Sequence, residues 1–150
     1  MKRLRVYVDT SVIGGCFDPE FTTESQALLQ MARDGKVILV ISDLLLDELA
    51  TAPERVRALI GSLSEPAIEH LPPNTESVRL QQAYMAAGVV GPSSTDDARH
   101  VANATVARVD VIVSWNFRHI VHFDKIRHYN AVNLREGYGI LEIRSPKEVV

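Results

Sequence analysis

The sequence predicts an α/β sandwich around a mostly parallel central sheet, and three observations carry that prediction. Val37-Ile38-Leu39-Val40-Ile41 is apolar and largely β-branched, as a strand buried on both faces of a parallel sheet requires. Segments with helical periodicity alternate along the chain with short strand-like runs. No internal repeat, low-complexity tract or linker interrupts that alternation, and 150 residues suit one domain spanning 1–150.

Leu4-Arg5-Val6-Tyr7-Val8-Asp9 alternates as a strand does and ends at the polar Asp9-Thr10-Ser11. A loop is expected next, with Gly14-Gly15 and Asp18-Pro19 as turn signals. Thr23 to Asp34 reads as a helix, with Ala27, Leu28, Met31 and Ala32 on one face and Gly35 as its stop. After the apolar strand, Ser42 can cap a helix running to about Ala50, and Pro53 suits the first turn of another, through Leu63. Ala67 to Leu71 is a candidate strand, and Thr75 to Ala87 a helix stopped by Gly88. Ser93-Ser94-Thr95 opens a helix from about Asp96 to Arg108, Val109 to Ser114 reads as a strand, and Ile140 to Ile143 as a last short one.

Apolar residues make up 46% and charged residues 23%, which excludes a mainly disordered chain. Val37 to Ile41 is too short to span a bilayer, and nothing resembles a signal-peptide core, so a cytoplasmic address without membrane contact is expected. Cys16 is the only cysteine, which excludes an internal disulfide and a thiolate zinc cluster. The net charge of −3 argues against a protein that coats nucleic acid. Its distribution says more. Thirteen acids face five bases from Asp18 to Asp97, whereas six bases and four histidines face two acids from Arg99 to Arg135. Ordinary solvated surface is one reading of that asymmetry, and a phosphate-tracking rim beside an acidic centre is the other.

In open α/β sheets the working site lies off the carboxyl ends of the strands, and polar stations fall there. Asp9 ends the first strand, Ser42 to Glu48 follow the second, and Asn116 follows the strand 109–114. Asp96 and Asp97 open the helix that feeds that strand. Distant acids arriving at one sheet edge build an oxygen-ligand site for magnesium or manganese. Each also has a plainer reading. Asp9 could begin a turn or cap the next element, and Glu48, stacked above Leu44 and Leu45, could be a partly exposed acid at the helix edge or one bonded to a buried Arg. Ser94-x-x-Asp97 fits a capping arrangement, with Asp97 beside the buried Ala98, Val101 and Ala102 and Asp96 as a capping or supporting acid. Thr10 and Ser11 could orient a carboxylate or a water. Asn116 offers a neutral oxygen and cannot act as a base. His119 and His122 form a weak H-x-x-H, better suited to solvent or phosphate than to a metal. Trp115 suits packing, although a ring beside a site could stack a base.

Four segments in this order resemble the PIN domain, the nuclease fold of VapC-type toxins: Val8-Asp9-Thr10-Ser11-Val12-Ile13, Ser42 followed by Glu48-Leu49, Asp97-Ala98-Arg99-His100-Val101-Ala102-Asn103-Ala104, and Val113-Ser114-Trp115-Asn116-Phe117-Arg118-His119-Ile120. The resemblance implies a three-layer α/β/α sandwich and metal-assisted hydrolysis of RNA phosphodiesters. It implies that Asp9, Glu48 and Asp97 hold Mg²⁺ or Mn²⁺, with Thr10 or Ser11 supporting them. Asn116 falls where many members keep a fourth acid, which removes one negative charge and would weaken a second metal. Arg99, Arg118 and His119 are the candidates for RNA phosphates. A cognate antitoxin and homodimerisation are further implications. The alternative is a weak or inactive PIN-like module that binds RNA or docks a protein. A phosphatase of the haloacid-dehalogenase type would need an acid where Ser11 stands, and Gly14-Gly15 lacks the Gly-Lys-Ser/Thr ending of a phosphate loop.

Overall fold

A computed structural model describes residues 2–150. Five parallel strands, β1 (Leu4–Val8), β2 (Val37–Ser42), β3 (Ile68–Leu71), β4 (Val111–Val113) and β5 (Ile143–Arg144), form one sheet in the order β3-β2-β1-β4-β5. Among the described residues, seven α-helices cover its faces: α1 (Thr10–Gly15), α2 (Thr22–Arg33), α3 (Asp43–Leu49), α4 (Glu54–Gly61), α5 (Thr75–Ala86), α6 (Thr95–Val106) and α7 (Phe123–Arg135). Strand alternation divides the core into two layers. Val6, Val8, Leu39, Ile41 and Val113 pack with residues of α1, α2, α3 and α4, while Tyr7, Val40 and Ile112 pack with residues of α5, α6 and α7. The α/β/α sandwich is therefore present, and every strand pair is parallel.

The order of the strands positions the site. From β1 the chain moves outward to β2 and β3, then returns to lay β4 on the other side of β1. Between β1 and β4 the helices leave in opposite directions, which opens a crevice at the carboxyl ends of those strands.

Several local expectations need correction. Thr10 to Gly15 is a short helix and not a loop. Paired glycines weaken helix propensity, but burial of Val12 and Ile13 outweighs it. Phe123 to Arg135 is a full helix with no counterpart in the sequence reading. Its buried face mixes Tyr129 and Val132 with Asn133, and that polar residue obscures the apolar stripe. Asn133 is satisfied there by Tyr84 and Thr105. Ser94 does not cap α6: it ends a 3₁₀ turn at ψ 27°, outside the extended conformation that side-chain capping uses. The cap at Ser42 is present, with Oγ accepting from the Leu45 amide at 3.2 Å. The last strand is displaced to Ile143–Arg144, and Ile140 lies exposed before it.

Arg5 ties the amino edge of the sheet together. Its guanidinium donates to both carboxylate oxygens of Glu69 at 2.8 and 2.6 Å, and to the Ala107 and Arg108 carbonyls at 2.9 and 3.2 Å. Those carbonyls end α6, where Arg108 takes a left-handed φ of 54°. The hydrogen bond from Arg5 holds the Glu69 carboxyl below its ordinary value, against a smaller opposing effect of burial. A lowered folded-state value means that the pair stabilises the fold above the ordinary carboxylate range, and that this contribution is lost as pH falls through the lowered value. Glu69→Gln is expected to cost about 1 kcal/mol at neutral pH, the upper end for a partly exposed bidentate pair. Urea titrations should show the gap narrowing in acid. An equal gap at both pH values would contradict this account.

Candidate metal and catalytic centre

Asp9 follows β1 and is 4% exposed. It stands at the N-cap position of α1, where its carbonyl accepts the Val12 amide at 3.3 Å while its carboxylate caps nothing. Ser11 Oγ donates to Asp9 Oδ1 and Ser114 Oγ to Oδ2, both at 2.6 Å. A hydroxyl has one proton to give. Each serine is aimed by the backbone: Ser11 Oγ accepts the Trp115 amide and Ser114 Oγ the Asn116 amide, both at 2.9 Å. The crevice between β1 and β4 is thus bridged by a carboxylate clamped between two serines. Burial raises the Asp9 carboxyl above its ordinary value, although His100 and the two hydroxyls oppose the shift.

Glu48 lies in the last turn of α3, half-buried. Thr10 Oγ1 donates to its Oε1 at 2.7 Å, and His100 Nε2 meets the same oxygen at 2.5 Å. The sequence left Thr10 and Ser11 as alternatives, and the structure uses both, one for each carboxylate. Burial would raise the Glu48 carboxyl, but His100 and Thr10 together bring it below its ordinary value.

Asp97 sits in the first turn of α6, half-buried. Its carboxyl is raised, chiefly by burial and also by the charge of Asp9, with His119, His100 and a hydrogen bond from Asn116 pulling the other way. Asp96 beside it is exposed. Asn116 turns the chain after β4, its Oδ1 accepting the amides of Arg118 at 3.2 Å and His119 at 2.9 Å. Asp9 thus feels the charge of Glu48, and Asp97 that of Asp9, with Asn116 beside Asp97. Among the described residues, no three His, Cys, Asp or Glu side chains are close enough to enclose a metal ion.

The RNA-contact candidates separate. Arg118 is exposed beside the crevice, and His119 is half-exposed, its charge acting on Asp97. Arg99 is engaged elsewhere, with Nε and Nη2 donating to Gln81 Oε1 at 2.9 and 2.6 Å. Trp115 is packing: it is buried, stacked on Phe21 with ring centroids 4.3 Å apart, and its Nε1 donates to Ser25 Oγ at 2.7 Å.

The sequence reading assigned no role to His100 and Tyr7, which organise the interior side of the site. His100 is 2% exposed and lies between Glu48 and Tyr7, with Nδ1 2.6 Å from the Tyr7 hydroxyl. That hydroxyl donates to Ser42 Oγ at 2.9 Å and accepts from Asn103 Nδ2 at 3.3 Å. The signal was present: His100 falls three residues after Asp97 and interrupts the apolar face made by Ala98, Val101 and Ala102. Burial pushes the Tyr7 phenol far above its ordinary value, so it remains a neutral hydrogen-bonding group. Tyr7→Phe would leave the polar atoms of Ser42, His100 and Asn103 short of a partner. It should cost about 1–3 kcal/mol in urea denaturation. An unchanged midpoint would mean that these groups find other partners.

A model of the PIN domain matches residues 5–118, from β1 to the turn beyond Asn116. The chain belongs to the PIN domain family. No curated protein sequence matches it. Among solved structures, the PIN fold here is similar to a chain of VapBC2 from Rickettsia felis bound to a promoter DNA fragment, at TM-score 0.58 and 12% identity, covering 95% of this chain and 98% of that one. It is also similar to a chain of DNA-bound VapBC from Salmonella typhimurium, at TM-score 0.60 and 19% identity, with the same coverage. At these identities the likeness concerns the fold. The PIN family model spans Asp9, Glu48, Asp97 and Asn116. No helix among the described residues is long and apolar enough to cross a membrane.

Proposed function

We propose that this PIN domain is a divalent-metal-dependent ribonuclease and the toxin of a toxin–antitoxin pair. The observation that carries the reading is Asp9: a buried carboxylate at the crevice, raised by burial, neighboured by the charges of Glu48 and Asp97. Among the described residues, neither Asp9 nor Asp97 forms an ion pair with a lysine or arginine. A hard divalent cation suits such a donor set, and magnesium commonly takes only one or two carboxylates and completes its shell with water and substrate phosphate. Asp9 and Asp97 would hold it, and Glu48, whose carboxylate Thr10 and His100 engage, would lend negative charge beside it. When bound, such an ion neutralises phosphate charge and acidifies water for in-line attack.

The chain's own residues supply the rest. Ser11 and Ser114 orient Asp9, while Thr10 and His100 fix Glu48. Asn116 supports Asp97 through its amide and shapes the turn that presents Arg118 and His119, which are suited to flanking phosphates. A strand splayed over a small acidic crevice favours single-stranded RNA over a duplex. The antitoxin partner is supported by the VapBC assemblies to which the fold is similar. A homodimer and a cytoplasmic address complete the proposal.

End-labelled single-stranded RNA incubated with Mn²⁺ or Mg²⁺ tests the reading, with EDTA as a control. Cleavage that EDTA abolishes is expected. The binding-module alternative draws support from Asn116 and from the Glu48 carboxylate being taken up by His100. Metal-dependent thermal stabilisation without cleavage of any RNA would favour it.

A further inference from the structure

Phe117 directly follows Asn116, and Phe123 opens α7. Phe123 is 71% exposed, the most exposed large apolar side chain among the described residues, and Phe117 is 49% exposed. Scattered exposed apolar side chains are ordinary on protein surfaces. These two differ in what surrounds them. The Arg127 guanidinium lies 5.4 Å from the Phe123 ring centroid, a cation–π arrangement that steadies the ring while most of it faces solvent. Phe117 meets Trp115 edge-on at 6.1 Å and 71°, and Trp115 is itself locked by Phe21 and Ser25. Phe117 thus stands against a fixed neighbour, and Phe123 carries a cation beside its ring.

The chain segment that carries the two rings is rich in bases. Between Asn116 and α7 the chain carries Arg118, His119 and His122, and the first two turns of α7 add Lys125 and Arg127 against the single acid Asp124. Arg118, His122 and Arg127 are exposed. Aromatic rings alternating with cations form a surface for a single-stranded polyanion, whose bases stack while its phosphates meet the charges. A protein partner would more readily use a continuous apolar patch than two rings separated by charged residues. The acidic crevice repels RNA on its own, so affinity has to come from beside it.

We propose that Phe117 and Phe123 form a base-stacking platform for single-stranded RNA, with Arg118, His122 and Arg127 taking the adjacent phosphates. The platform rests on the ribonuclease reading and deepens it. It places the bases on the strip between β4 and α7 and assigns the stacking role to Phe117 and Phe123 in place of Trp115. Because every base has a stacking face, the platform favours unpaired strands without selecting a sequence.

Fluorescence anisotropy in EDTA, where no strand is cut, tests it with labelled oligouridylate and an abasic oligoribonucleotide of equal length. Phe117→Ala and Phe123→Ala should each weaken oligouridylate binding by about fivefold to a hundredfold, the scale of one lost stacked base. Phe123→Leu, which keeps an apolar side chain, should not restore it. Binding of the abasic strand should be equal in wild type and variants. Arg118→Ala should instead weaken both strands and reduce the salt dependence of binding. Unchanged oligouridylate affinity in both alanine variants would overturn the platform, as would equal losses on the abasic strand. A shift from dimer to monomer in Phe123→Ala, with RNA affinity unchanged, would assign the ring to a second copy of the chain and overturn it too. If wild type cuts RNA but the phenylalanine variants bind normally, the platform alone fails. If wild type binds through the rings and cuts nothing, the platform stands and the nuclease reading fails.

Discussion

Asp9→Asn is expected to lower RNA cleavage by a factor of about 10³ or more, while the variant melts at the same temperature as wild type or higher. The activity loss is of the size seen when a principal electrostatic group leaves a catalytic centre. The stability expectation follows from burial. Asp9 is almost wholly enclosed, and its folded-state carboxyl is raised above the unfolded value. Between those two values the native state binds more protons than the unfolded chain, so this carboxylate makes the fold less stable as pH rises through that interval. The penalty is complete above the folded value, where asparagine removes it. The cost is two charge-assisted hydrogen bonds, partly kept because an amide oxygen still accepts from one serine. Thermal melts at neutral pH, paired with the cleavage assay, check both halves. Excess Mn²⁺ should raise the wild-type melting temperature, by about 2.7 kcal/mol of stability at a hundredfold excess over Kd, and should leave the variant unmoved. A variant that unfolds at a much lower temperature would mean that the clamp is chiefly structural.

Gly15→Ala is expected to destabilise the fold by about 2–3 kcal/mol, or roughly 6–10 °C in melting temperature, although it adds one methyl group. An added Cβ would stand 2.7 Å from Ser25 Oγ and 2.9 Å from Trp115 Nε1. Neither atom is the free end of a flexible side chain. They are hydrogen-bonded to each other in the core, where Ser25 is fully buried. The disturbance should also reach the site, because the Trp115 amide aims Ser11 at Asp9. Gly14→Ala is the control: nothing lies within 4 Å of its added Cβ, and alanine is the better helix former, so stability should hold or rise. Equal melting temperatures for the two variants would refute the close-approach argument.

The fold and the acids were legible for different reasons. β2 is apolar at every position before Ser42 because both sheet faces are covered, and such a run has few alternative meanings. The resemblance to the PIN domain rested on the order of short segments, and the family model spans the first three and the fourth as far as Arg118. α1 and α7 were missed because their local signals are weak: one contains paired glycines, and the other buries an asparagine among its contacts. Propensity cannot foresee that Gly15 allows Trp115 to approach, or that Tyr84 and Thr105 await Asn133.

The sequence by itself determined the sandwich, the placement of acids at strand and helix ends, and the family to which they belong, since periodicity and segment order are properties of the chain alone. Only the tertiary structure decided how those acids are held. Ser114 and Asp9 are far apart in sequence and meet because β4 returns to lie beside β1. His100 reaches Glu48 because α6 packs against the sheet face on which Tyr7 lies. Arg99 turned to Gln81, Trp115 entered the core, and Phe117 and Phe123 remained outside. Each outcome depends on what stands across the fold from a residue, which its neighbours along the chain do not specify.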